Sequence, residues 1–199
     1  MLPIEDNSSI LRFSETLQAP HLRQLTLRGF DLPIGSQLLT TAVGLIALYL
    51  VMVHPSTYFH PNTLLQWITH MPQLGKLTIF FKFPDLNHRV ERQLAHMPII
   101  TAPITLPNLH HLQFHGATTY LEALVHRITA PRLEERRIEL FNQLTFDVPS
   151  LLQFMNMTEN LRLESAFFQF SKNRVHVKVY PRGEAEMYSL SLSCLLLAP

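Results

Sequence analysis

The sequence predicts an α/β fold in which short parallel strands alternate with short helices. Three observations predict it: one apolar spacing that recurs, prolines standing in register before it, and helix-like stretches between the copies. The spacing is an apolar residue, two others, an apolar residue, one other, and an apolar residue. It occurs at Leu22, Leu25 and Leu27, and again at Leu45, Leu48 and Leu50. Leu74, Leu77 and Ile79 make the third copy, and Leu109, Leu112 and Phe114 the fourth. The fifth keeps Leu133 and Ile138 but has Arg136 where an apolar residue is expected. The sixth keeps Leu161 and Leu163, with Thr158 in the leading place.

The leading positions 22, 45, 74, 109, 133 and 158 are 23, 29, 35, 24 and 25 residues apart. These intervals match leucine-rich repeats of about 20–29 residues, with a longer loop in the third. Pro20, Pro72, Pro107 and Pro131 stand two places before four leading residues. Proline suits the start of a strand, where no ladder donor is yet needed.

Helices are expected over 61–71, 90–97, 120–128 and 149–157. In the first, Leu64, Leu65, Ile68 and Met71 share a face, and the fourth repeats its pattern. Strand, helix, parallel strand is the unit of a solenoid, so residues 19–193 read as an irregular leucine-rich-repeat-like solenoid. Residues 1–18 form a polar N-terminal segment. Leu38–Val53 is the most apolar window, but its 16 residues fall short of the roughly 20 a membrane helix needs. It reads as a helix end, a turn and a buried strand. Val175–Val179 alternates strictly, and Phe167–Phe170 precedes it, so a terminal β-hairpin should cover the last repeat edge. Leu190–Pro199 has no visible partner, and 194–199 reads as an apolar tail, truncated or disordered.

With 47% apolar and 16% charged residues the chain is not a disordered one, and 199 residues suit one domain. A formal charge of +1 argues against a nucleic-acid partner. Cys194 is the single cysteine, which excludes an internal disulfide and fits a reducing, intracellular setting, cytoplasmic or nuclear. The first ten residues lack a basic signal-peptide start.

Side chains alternate across a strand, so residues between the apolar positions should line the concave face. Its first column is Gln24, Ala47, Lys76, His111, Glu135 and Asn160. The second is Thr26, Tyr49, Thr78, Gln113, Arg137 and Arg162, and the third Arg28, Val51, Phe80, His115, Glu139 and Glu164. An apolar, aromatic half beside a charged half is what a protein interface needs. The contact residues expected from this layout are Tyr49, Val51, Lys76, Phe80, His111, Gln113, His115, Arg137 and Glu139. The alternative is that a loop at His54–Asn62 covers Val51 and Phe80.

No catalytic, cofactor or metal site is expected. The six glycines never cluster, and neither a G-x-S-x-G nor an H-E-x-x-H motif occurs. His111 and His115 are four strand residues apart, about 13 Å, too far to share an ion. They read as exposed titratable side chains. The rival reading is a metalloprotein or enzyme that uses the eleven histidines, or a degenerate fragment without maintained function. At Arg136 the strand should either bulge to free the side chain or weaken the repeat, because a buried unpaired guanidinium is very costly.

Several stretches resemble the leucine-rich-repeat part of F-box-like proteins of mushroom-forming fungi. They are 32–74 (LPIGSQLLTTAVGLIALYLVMVHPSTYFHPNTLLQWITHMPQL), 120–134 (YLEALVHRITAPRLE), 141–163 (FNQLTFDVPSLLQFMNMTENLRL) and 177–193 (VKVYPRGEAEMYSLSLS). The resemblance implies a ubiquitin-ligase substrate receptor whose repeats select an unknown target protein. In such proteins an N-terminal helical box docks the ligase adaptor. Leu2-Pro3-Ile4-Glu5 resembles the start of that box, but the first repeat begins at Ala19. That leaves no room for about three helices, so adaptor binding is expected only of a longer form.

Overall fold

Five strands begin in the same way. The computed structural model describes residues 18–29, 37–53, 59–81, 103–141, 149–156, 163–171, 174–181 and 190–195. Before the first strand the N–H of Leu22 donates to the carbonyl of Ala19 at 3.1 Å, closing a turn. The same bond joins Leu45 to Ala42, Leu74 to Met71, Leu109 to Leu106 and Leu133 to Ala130. Pro20, Pro72, Pro107 and Pro131 are the second residue of four of these turns, where a fixed φ near −65° is wanted. The prolines therefore stiffen the turn ahead of the strand rather than its first ladder position.

The residue after each leading leucine then binds the next strand. The Arg23 carbonyl accepts from Ile46 N–H (2.8 Å) and Ala47 N–H (3.1 Å). The Ile46 carbonyl accepts from Gly75 and Lys76, that of Gly75 from His110 and His111, and that of His110 from Glu134 and Glu135. Each strand is thus set in register before its ladder begins.

The elements are β1 (Gln24–Arg28), α1 (Gln37–Thr41), β2 (Ala47–Val53), α2 (Pro61–Thr69), β3 (Lys76–Phe81), β4 (Ile104–Thr105) and β5 (His111–Gly116). They continue with α3 (Thr118–Val125), β6 (Ile128–Thr129), β7 (Glu135–Phe141), α4 (Pro149–Asn156), β8 (Leu163–Ser171), β9 (Arg174–Pro181) and β10 (Leu190–Leu195). The main sheet runs β1-β2-β3-β5-β7-β10-β9-β8. From β1 through to β10 every neighbouring pair is parallel. β9 is antiparallel to both β10 and β8. β4 and β6 form a small parallel pair of their own. The fold is mixed α/β, with a mostly parallel sheet and short helices.

The C-terminal third departs from the sequence reading. The sixth copy was expected beside β7, but Leu163 begins β8 at the far edge of the sheet, and residues 160–162 lie outside the described ones. The place beside β7 belongs to β10, the apolar stretch that had no visible partner. Its Leu190 and Leu192 stand opposite Arg136 and Ile138, and Cys194 and Leu195 are paired strand residues rather than tail. The hairpin of β8 and β9 forms as expected, but it meets the parallel strands only through β10. A parallel neighbour can come from anywhere in the chain, so local spacing does not decide which segment takes that place. The helix expected over 90–97 lies outside the described residues.

One face of the sheet carries the core. Leu48 and Leu77 are fully buried and Leu112 is 2% exposed. Leu64, Leu65 and Ile68 of α2 and Leu121 and Leu124 of α3 pack in the same cluster. Its centre is aromatic: Tyr120 sits 4.9 Å from Phe81 and 5.9 Å from Phe114, ring centre to ring centre, and Phe59 lies 5.2 Å from Trp67. Gly116 makes this packing possible, since a Cβ there would stand 2.7 Å from the Phe81 ring and 2.8 Å from that of Phe114.

Helix starts are tied down from outside. Both carboxylate oxygens of Glu122 in α3 accept from the first turn of α4, Ser150 N–H at 2.7 Å and Leu151 N–H at 2.9 Å. A negative charge at that end also suits the helix dipole. At α2, His60 Nδ1 accepts from Asn62 N–H at 3.0 Å. Burial, and then the charge of Arg127, hold the His60 pKa below its usual value.

Arg136 is the exception within the core. Its register with Leu112 on one side and Leu190 on the other is unbroken, so no bulge frees it. It is 2% exposed, and Nη2 donates to the Leu133 carbonyl at 3.1 Å, while Nε and Nη1 are buried without a hydrogen-bond partner. Pairing on both edges leaves the strand no slack to turn the side chain out. Burial lowers its pKa to about 10, so it stays charged at neutral pH.

Three outcomes are expected. Leu48→Ala, Leu77→Ala and Leu112→Ala should each cost about 2–5 kcal/mol in urea unfolding, from lost burial plus a cavity. Arg136→Leu should instead raise stability by about 1–3 kcal/mol below pH 10, because it removes buried donors that have nothing to bind. For His60, the unfolded chain takes up a proton near pH 6.5 while the folded chain resists it, so stability falls as pH drops below that value. His60→Asn keeps a capping acceptor without the titration. Its unfolding midpoints at pH 7.5 and 5.5 should differ less than those of the parent.

Candidate functional site

The face of the sheet opposite the core carries the columns read from the sequence. Gln24, Ala47, Lys76, His111 and Glu135 stand side by side in register. So do Thr26, Tyr49, Thr78, Gln113 and Arg137, and likewise Arg28, Val51, Phe80, His115 and Glu139. The sixth places differ from the expected ones. Ser191 and Ser193 of β10 stand opposite Arg137 and Glu139, whereas Glu164 belongs to β8 and Asn160 and Arg162 lie outside the described residues.

The nine expected contact residues share this face, but their exposure is uneven. Lys76 and Arg137 are exposed; Tyr49, Val51, Phe80, His111, Gln113 and Glu139 are partly buried. Val51 and Phe80 remain accessible, and Phe59 belongs to the aromatic core. Residues 54–58 of the loop that could cover this face lie outside the described ones. His115 was expected to be exposed and is instead 7% exposed. The Phe80 ring stacks on it, centroids 4.0 Å apart and planes 20° apart. Its Nδ1–H donates to the Phe81 carbonyl at 3.2 Å, and Nε2 lies 3.5 Å from Glu139 Oε2. Adjacent strands about 4.8 Å apart bring flat rings of one column into contact, and the stack shuts water out.

The charges on this face answer one another, both across strands and along β7. His111 Nδ1 meets Glu135 Oε2 at 2.8 Å, and Arg137 donates from Nε and Nη2 to Glu139 Oε1 at 3.0 and 2.9 Å. Each histidine therefore faces its own carboxylate. Glu135 stood next to His111 in the first column read from the sequence but was not among the nine expected contact residues; the two are register partners. Among the described residues, no three histidine, cysteine or acidic side chains gather as a metal site would require.

A second feature lies on the helical side. A cavity of about 220 Å³ opens between β6 and α4, lined by Val125, His126, Ile128, Ala130, Gln153 and Phe154. It was not legible in the sequence, because three separate segments build it: Pro103, the stretch from Val125 to Ala130, and α4. Among the described residues, no helix is long and apolar enough to cross a membrane. No protein-family model matches the chain, and neither does any curated protein.

The two histidines should respond differently to replacement. His115→Ala removes a buried stack and leaves the Phe81 carbonyl without that donor, at a cost of about 1–3 kcal/mol. His111→Ala removes a pair whose Glu135 is 60% exposed, at a cost under about 1 kcal/mol. Denaturant unfolding of the two variants side by side measures the contrast.

Proposed function

We propose that this chain is an irregular leucine-rich-repeat-like solenoid that binds another protein through the open face of its sheet. On this reading it does no chemistry and works inside the cell. Its resemblance to F-box-like proteins gives it the role of target-binding region in a ubiquitin-ligase substrate receptor. The adaptor would be contacted only where a longer form carries the box.

One observation carries the interface reading. Fifteen positions from five parallel strands stand in three unbroken columns on the face opposite the leucine core. A surface on paired strands is held rigid, so little order has to be created on binding. Phe80 lies flat on His115, and Tyr49 is central between β1 and β3, so two aromatic anchors are pre-positioned. Aromatic anchors supply most of the energy of such contacts, and exposed charges at the rim set orientation and on-rate.

The test is an alanine scan of both faces against a partner recovered with the intact chain. Tyr49→Ala and Phe80→Ala should each weaken binding by about 2 kcal/mol or more, and Gln24→Ala by under about 1 kcal/mol. Damage confined to the helical face, around His126 and Gln153, would place the contact elsewhere.

A further inference from the structure

Resting on that reading of the open face, we infer that its partner is an acidic peptide segment with an aromatic or large apolar residue at its centre. The open face has positive charge left over. The carboxylates of Glu135 and Glu139 are already engaged, by His111 and by Arg137 with His115. The cations at the other end of the face are not. Arg28 and Lys76 are exposed, and neither meets a carboxylate among the described residues.

Their placement gives the segment its length and pattern. Arg28 ends the third column in β1, and Lys76 begins the first column in β3. Two strand spacings and four residues of rise put their Cα atoms about 16 Å apart, the span of about five extended residues. Tyr49 lies midway between them, in the middle column of β2, with Val51 and Phe80 beside it. Acid, apolar, acid is the sequence that fits cation, aromatic, cation. A phosphate backbone also seeks cations and rings, but two free cations among the described residues of this face are too few for a nucleic-acid track, and the whole chain carries only +1.

The probe is a phage-displayed library of random peptides panned on the intact chain, with selected peptides then measured by fluorescence anisotropy. Selected peptides should be rich in Asp and Glu around one aromatic or aliphatic residue. The doubly reversed variant Arg28→Glu, Lys76→Glu should weaken them at least about tenfold, and higher salt should weaken them too. Both positions are exposed, and circular dichroism checks that the variant folds. Neutral or basic peptides that depend on Tyr49 would overturn the inference while leaving the open face as the interface. Peptides indifferent to every change on that face would overturn both. A library that yields no binder overturns the inference as well. So does a single-stranded DNA oligomer that binds through Lys76 more tightly than any peptide, since the partner would then be nucleic acid.

Discussion

The structure depends on a single carbonyl per strand. The residue after each leading leucine holds two successive N–H groups of the next strand, from Arg23 through Ile46 and Gly75 to His110. A strand has a side-chain period of two, so a slip of one residue would send its leucines to the open face and its polar residues into the core. Two donors on one fixed acceptor stop that slip at the start of β2, β3, β5 and β7. The turns before the strands hold each acceptor in place, and prolines stiffen those before Arg23, Gly75 and His110. The leucine face, the aromatic centre and the polar columns then follow from the same register.

Successive units are tied on the helical side by different means. Glu122 reaches from α3 to the first turn of α4, and Arg127 donates to Asn62 Oδ1 at 2.9 Å at the start of α2. These side-chain bonds join elements about 28 and 65 residues apart. They do the work that the ladder does on the sheet side. The helices need such support because, among the described residues, none exceeds nine residues, too short to persist unaided.

Arg136 shows how strongly the register is enforced. A guanidinium with buried, unpaired nitrogens works against the fold, yet the strand keeps its pairing with β5 and β10 on either side. The ladder bonds of a whole strand outweigh one misplaced side chain. On the open face the same rigidity is useful, because it fixes Phe80 over His115 and holds Tyr49 between Thr26 and Thr78.

By itself the sequence determined β1, β2, β3, β5 and β7, their order and the two faces. Its apolar spacing is local, and the alternation of side chains turns spacing directly into sides of a sheet. The columns through Tyr49, Phe80 and His111 were legible for that reason. Tertiary structure alone decided what fills the space beside β7, because Leu190–Leu195 and the sixth copy are both apolar enough to pair there. It also decided that His115 is covered and that Arg136 is buried, since burial depends on neighbours from other strands: Phe80 and Glu139 for the one, two unbroken ladders for the other.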